Sequence, residues 1–173
     1  SYKTIATLGT CIPFGACIVG GYCWAVANEK PKLAKDIDVL VGNKYILDTI
    51  ARGSKYKVTA RPYGGQRLTI EDGKDRTLDL FKPSSAYFLL DSDEDILNVI
   101  SQFPMAHQQV AIPLSFPYDT KKPKIVCTPA FKKAHKTGVS VQLNTFGLGG
   151  RTIGYTTPEV SKYTEELAKR YLK

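Results

Sequence analysis

The stretch Lys35-Asp36-Ile37-Asp38-Val39-Leu40-Val41 decides how the rest of the chain is read. A strand turns successive side chains to opposite faces, so Asp36, Asp38 and Leu40 share one face while Ile37, Val39 and Val41 share the other. Carboxylates on an otherwise apolar strand are costly to bury unless hydrogen bonding or coordination offsets the loss of water. The stretch is therefore expected to form a strand with one face in the core and the other at a polar site.

Upstream, Ala16-Cys-Ile-Val19 reads as a short buried strand that stops in the Gly20-Gly21 turn, with a helix over residues 22–28 opening immediately after it. Glycines lack a Cβ, so this turn can approach a phosphate closely, and a helix start presents free N–H groups to negative charge. Downstream, residues 45–51 read as a helix, and residues 56–62 and 67–71 as antiparallel strands joined around 63–66. Residues 77–81 form a further strand with Asp79 at its middle, closed by Lys82-Pro83. The acidic run Asp91-Ser-Asp-Glu94 caps a helix carrying Ile96, Leu97, Val99 and Ile100, and residues 108–112 read as a second helix or an irregular segment. Residues 2–14 suit a short helix ended by Pro13.

From Pro113 the composition changes. Pro113, Pro117, Pro123 and Pro129, with the polar run 119–124, mark an exposed loop. A helix over 128–136, a strand over 139–143 and an amphipathic helix over 158–172 are expected beyond it. The pattern predicts an α/β (α+β) fold, a mixed β-sheet flanked by helices, with a core over residues 1–112 and a small C-terminal helical extension, residues 113–173, packed on it.

The 173 residues, 43% hydrophobic and 23% charged, have the composition of one folded domain and not of a disordered chain. No apolar run approaches the ~20 residues of a membrane helix. The first residues do not show the pattern of a secretory signal, and a cytoplasmic location is expected. Cys11, Cys17, Cys23 and Cys127 lack zinc-ligand spacing and read as inert core thiols. A formal net charge of +8 points to a polyanionic partner.

Asp36, Asp38 and Asp79 are the residues that carry chemistry. Three carboxylates meeting in one cleft repel strongly unless divalent cations neutralise them, and hard oxygen ligands suit Mg²⁺, with Mn²⁺ as a substitute. In a two-metal displacement one ion activates the attacking hydroxyl and the other steadies the leaving pyrophosphate, with Asp79 as the ligand nearer the nucleophile. A triphosphate would lie against Gly20-Gly21.

The order Gly20-Gly21, Lys35-Asp-Ile-Asp-Val-Leu-Val41, Leu78-Asp-Leu80 resembles the nucleotidyltransferase superfamily of polymerase-beta-like enzymes, above all the head domain of CCA-adding enzymes and poly(A) polymerases. The resemblance covers about residues 15–112, and Asp36 stands fifteen positions after Gly21. It implies an NTP substrate such as ATP, metal held by Asp36, Asp38 and Asp79, and nucleotide contacts from Gly20, Gly21 and Lys35. The segment 103–112 resembles a later head-domain stretch, which implies a nucleotide contact for Gln109. Together with the positive charge, the likeness implies an RNA acceptor such as tRNA. Tyr22, Cys23, Trp24 and Ala25 replace the Arg-Asp that follows the glycines in CCA-adding enzymes, and the Glu-Asp-x-x-Arg base-selecting motif is missing. This suits a reduced, stand-alone member of phage or virus type, acting in a host cytoplasm. The rival is a catalytically inactive relative of the same fold that binds nucleic acid or protein.

Arg61, Arg67 and Lys82 flank the proposed cleft, while Tyr63, Phe81, Tyr87 and Phe88 read as core aromatics. His107 and His135 have no partner set for catalysis, and Gly147-Leu-Gly-Gly-Arg-Thr152 reads as a flexible turn, departing from the G-x-G-x-x-G phosphate loop.

Overall fold

The computed structural model describes residues 15–30, 34–53, 55–60, 65–72, 76–83, 89–114, 123–141 and 143–144. The expected helices at residues 2–14 and 158–172, the turn at 147–152, Cys11, Arg61, Tyr63, Tyr87 and Phe88 lie outside the described residues.

Seven strands form one mixed sheet: β1 (Ala16–Val19), β2 (Asp36–Val41), β3 (Thr59–Ala60), β4 (Gly65–Asp72), β5 (Arg76–Pro83), β6 (Val110–Pro113) and β7 (Val126–Cys127), in the order β3-β4-β5-β2-β1-β6-β7. Only β2 and β5 run parallel among these pairings. Among the described residues four helices accompany them: α1 (Gly21–Ala27), α2 (Lys44–Arg52), α3 (Asp93–Ile100) and α4 (Pro129–Thr137). The mixed sheet with flanking helices is the expected fold class.

The two faces of the sheet are covered unequally. Ile18, Ile37, Val39, Val41, Leu68, Leu78 and Leu80 meet α1, α2 and α4 in one apolar cluster, to which Tyr22, Trp24, Leu47 and Phe131 contribute. α1 buries five residues in a row, Tyr22 to Val26, so it is apolar around its whole circumference, as a helix inside the core must be. On the opposite face Cys17, Val19, Leu40, Ala111 and Val126 pack with Ile96, Val99 and Ile100 of α3, which sits over β6 and β7. The β2-β5-β4 part of that face carries instead Asp36, Asp38, Thr77, Asp79, Arg67, Thr69 and Glu71, all partly or fully exposed.

Local capping explains the helix starts. Asn43 Oδ1 accepts from the Tyr45 amide at 2.7 Å, Ser92 Oγ from Asp95 at 3.1 Å, and Thr128 Oγ1 from Phe131 at 3.3 Å. Asp93, Glu94 and Asp95 place negative charge in the first turn of α3, and α4 stops at Gly138 in a left-handed conformation that favours glycine.

Three sequence expectations change. The segment 108–112 is not a helix: a 3-10 turn over Ala106–Gln108 leads into β6. An apolar run of four residues suits either structure, and pairing with β1 and β7 decided it. Of the strand expected over 56–62, residues 56–60 are described, and among them Thr59–Ala60 pair as a strand at the sheet edge. The described residues 139–141 and 143 form no strand; Val141 O instead accepts from the Ala106 amide at 2.9 Å, and the Leu143 amide donates to Pro104 O at 2.7 Å. Beyond residue 113, β7 pairs with β6, and Phe131 and Ala134 of α4 enter the Trp24 cluster.

Candidate metal and nucleotide site

Strand register brings the acidic positions together. β2 and β5 pair in parallel with Asp38 opposite Asp79 and Asp36 opposite Thr77. Neighbouring strands stand about 4.8 Å apart, and residues two apart on one strand about 7 Å, so the pairing sets Asp38 beside Asp79 with Asp36 one step further along the same face. β1 flanks Asp38 on its other side, with Val19 as its register partner.

Gly20 closes this corner. Its φ of 79° and ψ of −155° are accessible to glycine alone at little cost. A Cβ built there would stand 2.8 Å from Asp38 Oδ2, so the missing side chain makes room for the carboxylate. The glycine expected to face a phosphate thus lies directly against one of the expected metal ligands.

Each outer carboxylate has a partner within the protein. Asp36 Oδ1 accepts from Thr77 Oγ1 at 2.6 Å. Asp79 Oδ2 pairs with Arg67 Nη2 at 2.8 Å, while Asp79 Oδ1 is buried with no hydrogen-bond partner. Asp79 retains 15% of its side-chain exposure and Arg67 44%, so the carboxylate is the fixed member of this pair and the guanidinium the accessible one. Among the described residues no three His, Cys, Asp or Glu side chains stand in a ready metal-binding group. The donor chemistry nonetheless fits a hard divalent ion: carboxylate oxygens on adjacent strands, one of them buried and unmet.

Thr77 was not singled out from sequence. Its signal is the two-residue spacing from Asp79, which puts both on one strand face. Arg67 reaches Asp79 diagonally, because Thr69 is the direct partner of Asp79 and Arg67 that of Phe81.

The other expected residues fall elsewhere. Lys35 is exposed at the entry to β2, where its carbonyl accepts from the Thr77 amide at 3.2 Å. Gln109 is 3% exposed; its amide nitrogen donates to Ser101 O and Phe103 O, each at 3.0 Å, and its oxygen accepts from Thr128 Oγ1 at 2.8 Å. Both amide hydrogens are spent inside the protein, and Gln109 clamps the end of α3 to the start of α4. Lys82 shares the face of Leu78 and Leu80, opposite to Asp79, and is 8% exposed, with burial pulling its pKa down.

Cys17 shares this face of the sheet but packs under α3, in the apolar part of it. Cys17 and Cys23 are free and fully buried, and burial pushes the Cys17 thiol up to about 12 and raises Cys23 as well. His107 Nδ1 lies 2.7 Å from Ser140 Oγ, and its ring stands edge-on to Trp24. Burial lowers its pKa. An open groove of about 680 Å³ lies behind the sheet, on the α2 side, lined by Asp48, Arg52, Lys55, Tyr56, Lys57 and Val58.

No protein-family model matches the sequence, and no curated protein matches it. Solved structures do. A CCA-adding enzyme in complex with ATP superposes with a TM-score of 0.56 over 95% of this chain and 42% of its own, at 14% identity. A CCA-adding enzyme in complex with CTP gives 0.56 over 83% and 33%, at 15% identity. The Thermotoga maritima CCA-adding enzyme complexed with tRNA-CCA gives 0.55 over 83% and 32%, at 16% identity. The chain spans less than half the length of these enzymes. The chain therefore shares the fold of these CCA-adding enzymes over the part that it spans.

Proposed function

We propose that this protein transfers a nucleoside monophosphate from an NTP to an acceptor hydroxyl on RNA such as tRNA, with Mg²⁺ held by Asp36, Asp38 and Asp79. The observation that carries this reading is the register of Asp38 against Asp79 on neighbouring parallel strands, with Gly20 shaped around Asp38. The fold likeness to enzymes solved with ATP, CTP and tRNA supports it.

The reaction forms a bond between the acceptor oxygen and the α-phosphorus and breaks the bond from that phosphorus to the bridging oxygen, releasing pyrophosphate. The bound metal would supply charge neutralisation for the phosphates and a lowered pKa for the acceptor hydroxyl. Asp38, flanked by Asp79 and Gly20, holds the centre of the site. Asp79 would be the ligand nearer the attacking hydroxyl, and Asp36, whose carboxylate accepts from Thr77, would complete the ligand set. The Gly20-Gly21 backbone leaves space for the triphosphate. Arg52, Lys55 and Lys57 in the groove behind the sheet provide phosphate contacts for a bound RNA.

The test is incorporation of labelled nucleotide into bulk tRNA with Mg²⁺, comparing the wild type with Asp38→Asn and Asp79→Asn. Equal labelling in all three would refute the reading. The Arg67–Asp79 ion pair favours one rival, a catalytically inactive module of the same fold that binds nucleic acid. That module would bind RNA with a salt dependence unchanged by loss of the aspartates, and calorimetry would find no metal-dependent NTP binding.

A further inference from the structure

We propose that Arg67 is a resident counter-ion for Asp79, which holds the carboxylate while the site has no metal and moves off when a divalent cation enters. The inference rests on the metal reading above and adds a positioning residue to it. Asp79 is set in β5, between β2 and β4, and is 15% exposed. Arg67 lies on the same face of β4, two residues from the direct partner of Asp79, and reaches across at 2.8 Å with a side chain that is 44% exposed. Arginine has the length and the solvent access to leave; the aspartate is shorter and less exposed.

The pairing leaves one oxygen unmet. Arg67 engages Oδ2 of Asp79, and Oδ1 stays buried with no partner. A buried acceptor without a hydrogen bond is unfavourable, so the ion pair neutralises the charge but does not complete the coordination of the carboxylate. A divalent ion between Asp38 and Asp79 would meet that oxygen. Its positive charge and the guanidinium would then compete for one carboxylate. Two cations that exclude each other at one anion are linked: each weakens the binding of the other by the same factor. On leaving, the guanidinium remains on the face where the triphosphate is expected, and its fork suits phosphate oxygens. Nucleotide therefore draws Arg67 away and tightens metal binding.

The experiment measures Mn²⁺ binding to the whole chain by the electron paramagnetic resonance signal of free Mn²⁺, with and without a non-hydrolysable NTP analogue. Wild type, Arg67→Gln, Arg67→Lys and Asp38→Asn are compared, with circular dichroism showing that each is folded. Without nucleotide, Arg67→Gln should bind Mn²⁺ at least about five-fold more tightly than wild type, the lower end of usual coupling factors. Arg67→Lys, which keeps the charge, should stay close to wild type, and the analogue should tighten Mn²⁺ binding in wild type but not in Arg67→Gln. A residue that merely braced the sheet would not raise metal affinity when removed. Equal or weaker Mn²⁺ binding in Arg67→Gln, with binding lost in Asp38→Asn, overturns the counter-ion role and leaves the metal reading standing. Absence of Mn²⁺ binding in every protein, Arg67→Gln included, overturns both.

Discussion

The two faces of the central strands obey opposite rules. On one, Ile37, Val39, Leu78 and Leu80 are buried to 7% exposure or less beneath α1, α2 and α4. On the other, the residues that alternate with them, Asp36, Asp38, Thr77 and Asp79, form a polar surface held by a hydroxyl and a guanidinium. The first face stabilises the fold by removing apolar area from water. The second contributes little to stability, since carboxylates crowded on adjacent strands repel one another. Shared strands with separate duties mean that substitutions one residue apart should fail in different ways.

The sharpest break of this contrast is Asp38→Asn. Nucleotide incorporation should fall roughly 10³-fold, about 4 kcal/mol in barrier height. Urea unfolding should shift by less than about 1 kcal/mol. A large loss of stability with activity intact would reverse the roles assigned to the faces. Leu80→Ala, one residue from Asp79, should cost about 3 kcal/mol of unfolding free energy through the cavity it leaves. Activity per folded molecule should be preserved, as measured under conditions where the variant stays native.

Gly20→Ala tests the seam between the faces. The backbone conformation disfavours any side chain, and the new methyl would meet Asp38 Oδ2, so about 2 kcal/mol of stability should be lost. Metal-dependent nucleotide binding by calorimetry should weaken as well, because the same methyl displaces a ligand. The smallest effect belongs to His107 on the buried side. Burial holds its pKa below the ordinary value of about 6.5, so the imidazole is neutral in the folded protein and the unfolded chain takes up the proton first. Its contribution is complete above that value and declines as pH falls from there toward the lower folded pKa. The stability difference between wild type and His107→Gln should therefore change as the pH falls through about 6.5, with wild type losing more on acidification.

Much of this contrast was legible in the residues. The alternation over 36–41, the glycine pair, the run around Asp79 and the acidic capped start of α3 are short-range patterns, and the structure keeps all of them. β6 was not legible: Val110-Ala-Ile-Pro113 has no local feature that separates strand from helix, and its hydrogen bonds go to partners far along the chain. Gln109 shows the same limit. A polar residue near an apolar segment looks like a ligand contact in one dimension, whereas its amide is consumed by Ser101, Phe103 and Thr128 in three.

Residue order alone determined which side chains share a strand face, because pleating has a period of two and needs no partner. It also determined where the backbone had to be glycine, and that an acidic strand would need an offset for its charge. Only the tertiary structure decided the parallel register that sets Asp38 beside Asp79, the pairing of Asp36 with Thr77, and the reach of Arg67 to Asp79. Those depend on strand neighbours separated by tens of residues, and a pairing between distant segments is selected by the packing of the whole sheet, not by any local preference.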